Sequence, residues 1–528
     1  MRILVFHGYL LGGTGSNVYN ARLAAAFVAQ GHEVHLLCQD RNPASQPFVD
    51  AVADWDEGQL CISRVREHGA GATGSCTVYR PDIGDLLPVY VADRYDGIAA
   101  RTFAECSDAQ IASYVDANVA AVGELVELVT PDVALANHLV MGPAILARAL
   151  GGRVPYAVKV HGSALEYTVK PDPQRFLPFA REGLARAGGV LVGSHHTAAS
   201  LWRAMDDDNL PARTRLGPPG VDVERFAPRE PAAAVAGLAA LASRLRAAGE
   251  DSDAVVDTGA FARDERASAE ALARLDPAGG DRLVAFVGKL IVSKGVDLLL
   301  AAWPLVLEQV PDARLVVVGF GAYRAGLESL RDALAAGDLE RAGKIARAGR
   351  ALEDASADAH PLGHLLAFLD GLRGDALARY VDSAGAMGDR VVLTGRLDHE
   401  ELADLLPACE AMVVPSTFPE AFGMVAAEGA ACGALPVSAG HSGLAEVSET
   451  LAQAVPESIA RLLSFPVDDG AVAALAVRIV GWLQADPRDR AAARTGIVAT
   501  VRRRWSWDGV ARGVIAAARG ELDDLQTP

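Results

Sequence analysis

The stretch Pro415-Ser-Thr-Phe-Pro-Glu-Ala-Phe-Gly-Met-Val-Ala-Ala-Glu-Gly-Ala-Ala-Cys-Gly-Ala-Leu-Pro-Val437 decides the reading of this chain, because it sets two carboxylates, Glu420 and Glu428, around a strand-to-helix turn. The apolar run Ala411 to Val414 before it predicts a buried parallel strand, Pro415 to Pro419 is turn chemistry, and Phe422 to Cys432 has the small, apolar content of a packed helix. A helix starting near Phe422 offers free backbone N–H groups and the positive end of its dipole, which suit a diphosphate. Glu420 in the turn and Glu428 about a turn further in can accept from sugar and ribose hydroxyls, since an ionised carboxylate only accepts. Taken alone, the two glutamates also fit a dipole-favoured helix start and an ordinary solvated helix position.

Upstream, Val284-Ala-Phe-Val-Gly-Lys-Leu-Ile-Val-Ser-Lys-Gly-Val-Asp-Leu-Leu-Leu300 reads as a strand, a Gly288-Lys289 turn, a second lysine, Lys294, and an apolar helix start. Two lysines after a buried strand can stabilise charge that gathers on a departing phosphate. The plainer alternative is two surface lysines whose stems lie on apolar neighbours.

These two segments together resemble family 4 retaining glycosyltransferases. The resemblance rests on the E-x7-E spacing with Phe-Gly after the first glutamate, Pro-Ser before it and Ala-Cys-Gly after the second, and on Gly-Lys-Leu followed by Lys-Gly-x-Asp. It implies the GT-B architecture: an α/β chain of two facing Rossmann-like, doubly wound domains. It also implies Lys289, Lys294, Glu420 and His161 as catalytic residues, with Gly12, Gly13, Gly288, Gly319, Arg396, Leu397, Phe422, Gly423, Met424, Val425 and Glu428 as donor-binding residues. No metal site is expected, because no Asp-x-Asp or His cluster sits at a matching strand end. Many relatives carry Arg where Lys289 stands, so a point charge replaces bidentate phosphate contact here.

The rest of the chain is consistent with two α/β halves. The first opens with Ile3 to Phe6, a glycine loop (Gly12, Gly13, Gly15), a helix from about Asn17 to Gln30 and the strand Glu33 to Cys38, followed by strands at Val133 to Ala136, Tyr156 to Val160 and Val190 to Val192. The second has strands at Ala285 to Val287, Arg314 to Val318, Val391 to Thr394, Ala411 to Val414 and Leu435 to Val437. His161 closes its strand at the carboxyl end, where open α/β sheets place ligands; a histidine satisfied by the following turn is the alternative. Neither glycine loop is a dinucleotide fingerprint, because Val18 and Arg324 occupy the third-glycine positions after Gly13-Thr-Gly15 and Gly319-Phe-Gly321.

We place the boundaries at 1–226, a helical linker or insertion at 227–281, a donor domain at 282–500 with an insertion at about 323–388, and a last helix at 501–528. The family resemblance sends that last helix, opened by Ser506-Trp507, back onto the first domain. Pro219-Gly-Val-Asp222 resembles the family's segment before the interdomain crossing, with Pro219 for the usual Asn. The two insertions suit packing, domain coupling, a homo-oligomer contact or acceptor selection. Acceptor residues are expected from Pro81 to Phe103, including Asp93, Arg94 and Tyr95.

A formal net charge of -18 over 528 residues argues against nucleic-acid partners and broad adhesion to anionic membranes. Six cysteines without a C-x-x-C pair indicate neither a disulfide framework nor a zinc cluster, so a cytoplasmic protein is expected. Met1 to Phe6 is too short for a signal-peptide core, and Ala471 to Leu483 is shorter than a membrane span and contains Arg478, so no transmembrane segment is expected. Asp206-Asp-Asp208 reads as a solvated helix-end loop rather than a metal motif. The expected activity is therefore metal-independent transfer of a hexose from a nucleotide diphosphate sugar, a co-substrate rather than a cofactor, to an unidentified acceptor hydroxyl. A non-catalytic nucleotide-sugar binding protein and a GT-B epimerase are the alternatives.

Overall fold

A computed structural model describes the 528 residues apart from 57, 67–73, 91–98, 252–262 and 354–359. The chain divides into two compact units, one of Met1–Gly220 with Trp505–Pro528 and one of Val221–Arg504.

In the first unit the strands are β1 (Arg2–Phe6), β2 (Glu33–Leu37), β3 (Ala51–Asp56), β4 (Gln59–Arg64), β5 (Ser75–Arg80), β6 (Leu86–Val89), β7 (Ala99–Thr102), β8 (Val133–Asn137), β9 (Tyr156–Lys159), β10 (Gly189–Val192) and β11 (Thr214–Leu216). They build a nine-stranded sheet in the order β11-β10-β9-β8-β1-β2-β5-β3-β4, with β6 and β7 paired separately. All neighbours in the large sheet are parallel except the β3–β4 hairpin. Side chains alternate across a strand, so in β1 Leu4 and Phe6 enter one core while Ile3 and Val5 enter another on the opposite face. That double burial is why the β1, β8, β9 and β10 segments are predominantly apolar and legible as strands.

The hairpin and β5 were not anticipated in the Asn42 to Thr130 region. Most of β4 is exposed and mixes Gln59, Ser63 and Arg64 with apolar residues, so it carries no clean period-two signal. The expected acceptor residues Asp93, Arg94 and Tyr95 lie outside the described residues.

The C-terminal helix Trp507–Arg519 belongs to this first unit. Ser506 caps it through the Gly509 N–H, Trp507 meets the Tyr19 ring edge-on at 5.5 Å, and the Gln30 amide donates to the Asp508 carbonyl at 3.1 Å. The basic run Arg502–Arg504 ends the preceding helix, Pro487–Arg504, where cations favour the negative end of the dipole.

The second unit holds β12 (Arg282–Val287), β13 (Ala313–Val318), β14 (Val391–Gly395), β15 (Ala411–Val414), β16 (Leu435–Ala439) and β17 (Ser464–Phe465), all parallel, in the order β14-β13-β12-β15-β16-β17. Counted from β12 this is the doubly wound order 3-2-1-4-5-6, whose switch point lies between β12 and β15. The Ala471–Leu483 helix is a packed core helix, with Trp482 fully buried and its indole N–H on the Glu410 carbonyl at 2.8 Å. No helix among the described residues is long and apolar enough to cross a membrane.

Residues 227–281 are carried within this second unit, tied down by ion pairs of Arg229 with Asp404 at 2.8 Å and Arg263 with Glu401 at 2.9 Å. The helix expected near Phe422 starts later, at Met424, and runs to Ala431. Gly423 stands outside it at φ -110° and ψ 67°, so Phe422 belongs to the turn.

Gly295 joins the turns after β12 and β15. Its φ of +65° is left-handed, and a Cβ there would lie 2.0 Å from the Pro415 carbonyl oxygen. Gly295→Ala should therefore destabilise the chain by about 2–4 kcal/mol, combining left-handed strain with backbone displacement. Equilibrium denaturation monitored in the second unit should show it, and an unchanged midpoint would contradict this close approach.

Candidate functional site

At the switch point of the second unit the turns after β12 and β15 are stitched together. The Thr417 N–H donates to the Ser293 carbonyl at 2.9 Å, and Lys294 forms an ion pair with Glu420. Ser416 donates to the same Glu420 oxygen, Oε1, at 2.6 Å, and the Glu420 backbone N–H donates to Ser442 Oγ at 2.9 Å. Ser442 has a left-handed φ of +52°, which a non-glycine residue adopts only when its surroundings demand it. His441 fixes the same corner. Its Nε2–H donates to the Ser416 carbonyl at 2.8 Å, and its Nδ1 is hydrogen-bonded with the Ser442 hydroxyl at 3.0 Å.

The consequence for Glu420 is directional. Oε1 is taken by a cation and a hydroxyl, while Oε2 can accept from a sugar hydroxyl. Lys294 keeps further ammonium donors beyond the one given to Glu420. Both side chains are partly exposed, at 23% for Glu420 and 30% for Lys294, so an incoming ligand can reach them. Lys289 is half-buried in the loop after β12.

Glu428 lies one turn into the Met424–Ala431 helix and is only 3% exposed, which removes the reading of a solvated helix position. Its Oε1 is held by His399 Nε2 at 2.7 Å, and the His399 ring packs on Phe226 with centroids 4.8 Å apart. His399 opens the helix His399–Leu405, where Asp398 and Glu401 form a reciprocal capping box. Sequence reasoning missed His399, Ser416, His441 and Ser442. Of these, Ser416 and His441 could have been suspected from their positions just after β15 and β16.

The remaining donor-side candidates separate by role. Gly423 is buried at the helix start, with Met424 and Val425 half-buried beside it. Gly319 serves packing: a Cβ there would sit 2.0 Å from the Gly288 carbonyl oxygen, so only glycine lets the ends of β12 and β13 approach. Arg396 pairs with Asp398 at 3.0 Å and lies over the Phe320 ring, and Leu397 is buried.

The first unit carries a second cluster at the carboxyl ends of its central strands. His7 follows β1, His138 follows β8, and His161 follows β9. His138 lies 5.9 Å from the His7 ring and 4.8 Å from that of His161. The rule that selected His161, a histidine at a strand's carboxyl end, would have found all three.

The hydrogen bonds define the tautomers. His7 Nε2–H donates toward the Leu10 carbonyl at 2.9 Å and Asn17 Oδ1 at 3.0 Å, leaving Nδ1 to accept from the Asn20 amide at 3.0 Å. A neutral ring satisfies all these partners, and burial pulls the His7 pKa down to about 4. Asn137 gives its amide N–H to the Phe6 carbonyl at 3.3 Å, so its oxygen accepts His161 Nε2–H at 3.1 Å. The lone pair on His161 Nδ1 is then available to a hydroxyl. Burial, then the neighbouring His138, Lys159 and His7, holds the His161 pKa well below the ordinary value. Lys159, pulled down to about 7 by burial, donates to the Gly217 carbonyl at 2.5 Å. Gly12 and Gly13 are exposed after β1; Gly13 has φ +89°, and a Cβ at Gly12 would meet no atom within 4 Å.

Two doubly wound units, with cations, paired polar side chains and a helix start gathered at a switch point, define the GT-B class of α/β proteins. The chain belongs to the group 1 glycosyltransferases. Residues 14–220 match the model of a glycosyl transferase 4-like domain, and residues 281–370 and 375–458 match two models described as glycosyl transferases group 1.

Among curated proteins, the chain is 30% identical over 267 residues to a D-inositol 3-phosphate glycosyltransferase of Segniliparus rotundus, covering 51% of this chain and 46% of that one. It is 28% identical over 390 residues to a GDP-mannose-dependent alpha-(1-6)-phosphatidylinositol monomannoside mannosyltransferase of Mycolicibacterium smegmatis, covering 71% and 70%. The chain thus spans about half the length of the first relative. In fold it resembles the sucrose-phosphate synthase of Thermosynechococcus elongatus, with TM-score 0.52, 18% identity and 99% of each chain covered. It also resembles Anabaena HepE in complex with UDP-glucose, with TM-score 0.53, 15% identity and 98% and 99% covered.

The His7 geometry predicts an acid-sensitive first unit. Its folded pKa, about 4, lies below the ordinary 6.5, so the unfolded chain takes up this proton first. Stability is lost as pH falls through that window, by on the order of 3 kcal/mol for this residue. Comparing a His7→Gln variant with the parent isolates the effect from other titrating groups. The parent's melting temperature should fall more steeply between pH 6.5 and 4, and parallel curves would contradict the assignment.

Proposed function

We propose that this chain is a retaining glycosyltransferase that moves a hexose from a nucleotide diphosphate sugar to an acceptor hydroxyl without a divalent metal. The observation that carries the reading is the Lys294–Glu420 pair, held at the switch point beside the start of the Met424–Ala431 helix. A diphosphate meets cations and backbone N–H groups there, while Glu420 Oε2 accepts from the sugar. The buried Glu428–His399 pair one turn further along is assigned to the ribose. The names of the relatives support a nucleotide-sugar donor, GDP-mannose in one case and UDP-glucose in another.

The chemistry proposed is displacement on one face of the sugar. The bond from anomeric carbon to phosphate oxygen breaks, the acceptor oxygen bonds to that carbon, and the acceptor proton passes to the departing phosphate. Lys289, Lys294 and the helix start stabilise the charge gathering on the leaving diphosphate. In the first unit, neutral His161 offers its Nδ1 lone pair to a ligand hydroxyl.

Lys294→Ala should lower kcat by about 10²-fold or more in a chain that still folds, the usual cost of losing one preorganised charge stabiliser. Steady-state rates with UDP- and GDP-hexoses test it, and a wild-type kcat in the folded variant would remove Lys294 from the phosphate site. Glu428→Gln should chiefly weaken binding of the free nucleoside diphosphate, measured by calorimetry, with unchanged affinity returning Glu428 to a structural role. Transfer should persist in EDTA and give an α-linked product from an α-linked donor. Activity abolished by EDTA and restored by Mn²⁺ would overturn metal independence, and an inverted anomeric NMR signal in fresh product would overturn retention.

A further inference from the structure

The segment between β13 and β14 is much longer than the crossover itself requires. Its described residues include the helices Arg324–Ala335, Leu339–Ala348, Gly363–Gly371, Gly374–Ala384 and Met387–Arg390, with a short turn at Gly349–Leu352. These elements brace the helix that follows Lys294, Val296–Gln309. The buried Tyr380 hydroxyl donates to the Ala301 carbonyl at 2.9 Å, and Arg379 pairs with Glu308 at 3.0 Å.

The same segment reaches the lysine turn itself. Val292–Lys294 forms one 3₁₀ turn, closed by Lys294 N–H to the Ile291 carbonyl and Gly295 N–H to the Val292 carbonyl, both at 3.0 Å. The first N–H of such a turn has no partner within it. Here the Val292 N–H donates to Glu353 Oε1, a carboxylate that the crossover presents just after Gly349–Leu352. Glu353 is 17% exposed, so the contact is sheltered from competing water. Two residues further on, Lys294 meets Glu420.

We propose that Glu353 is a positioning residue for the donor diphosphate: a carboxylate from the long crossover that holds the lysine turn in the geometry that presents Lys294. It touches no substrate and acts through the Val292 N–H. The crossover thereby couples to the transfer site from behind, through backbone, rather than by selecting the acceptor. The inference rests on the functional reading given above.

The test uses the full chain with Glu353→Ala and Glu353→Gln. The alanine variant has no acceptor for the Val292 N–H, whereas the glutamine amide oxygen still accepts it. For Glu353→Ala, kcat/KM for the donor should fall about tenfold to a hundredfold, as misplacement of a catalytic group by about 1 Å typically causes. Its melting temperature should stay close to the parent's, and Glu353→Gln should recover most of the rate. Amide exchange in a peptide spanning 288–296 should be faster in Glu353→Ala and near parental in Glu353→Gln.

Parental kinetics in Glu353→Ala would overturn the proposal, as would equal impairment of both variants or loss of melting temperature without change in kcat or KM. If Glu353→Ala fails to fold, the glutamine variant decides, because a large rate loss there would also overturn it. A parent that neither binds UDP or GDP nor transfers a hexose would sink the functional reading. The exchange comparison would then decide separately whether Glu353 holds the turn.

Discussion

The second unit depends on the meeting of two turns at the switch point between β12 and β15. Gly295 passes against the Pro415 carbonyl, Thr417 bonds Ser293, and Lys294 meets Glu420. Parallel strands direct their carboxyl ends to one edge, and reversal of strand order parts the following connections there. The residues filling that crevice come from segments more than a hundred positions apart, so sheet order decides which of them can touch.

Around that pair, the structure tells each polar group what it can do. Glu420 is oriented by the Ser416 hydroxyl on one side and, through its backbone, by Ser442, which His441 in turn fixes. A carboxylate supported in this way has little reorganisation to undergo when a ligand arrives, the condition under which electrostatic stabilisation is most effective. Glu428 follows another logic, since a nearly inaccessible carboxylate requires a close partner and His399 supplies it.

The first unit solves a different problem. His7, His138 and His161 close three adjacent strands, and burial, joined for His138 and His161 by the neighbouring histidines, favours neutral rings. A neutral imidazole can donate from one nitrogen and accept at the other, which a charged ring cannot do. His161 keeps such an acceptor at Nδ1, with Nε2–H given to Asn137. The six cysteines are free thiols, and five of them are buried, so they serve as small apolar side chains.

Much of the architecture was legible in the sequence. Strands buried on both faces read as apolar runs, and those at Val133, Tyr156, Ala411 and Leu435 are found within a residue or two of their expected limits. The two lysines, Glu420 and His161 stood out because each follows a strand with recognisable turn residues beside it, and Glu428 by its spacing from Glu420. The exposed β3–β4 hairpin was not, because one-sided burial in a mixed-polarity strand leaves no clear period. Nor could sequence show that Gly319 packs so closely on the Gly288 carbonyl. His399 on Glu428 and Glu353 on the Val292 amide were likewise decided only by tertiary structure. The chain determines locally where strands end and helices begin; which distant side chain satisfies a buried charge or an orphaned N–H depends on strand order and packing, which no local pattern encodes.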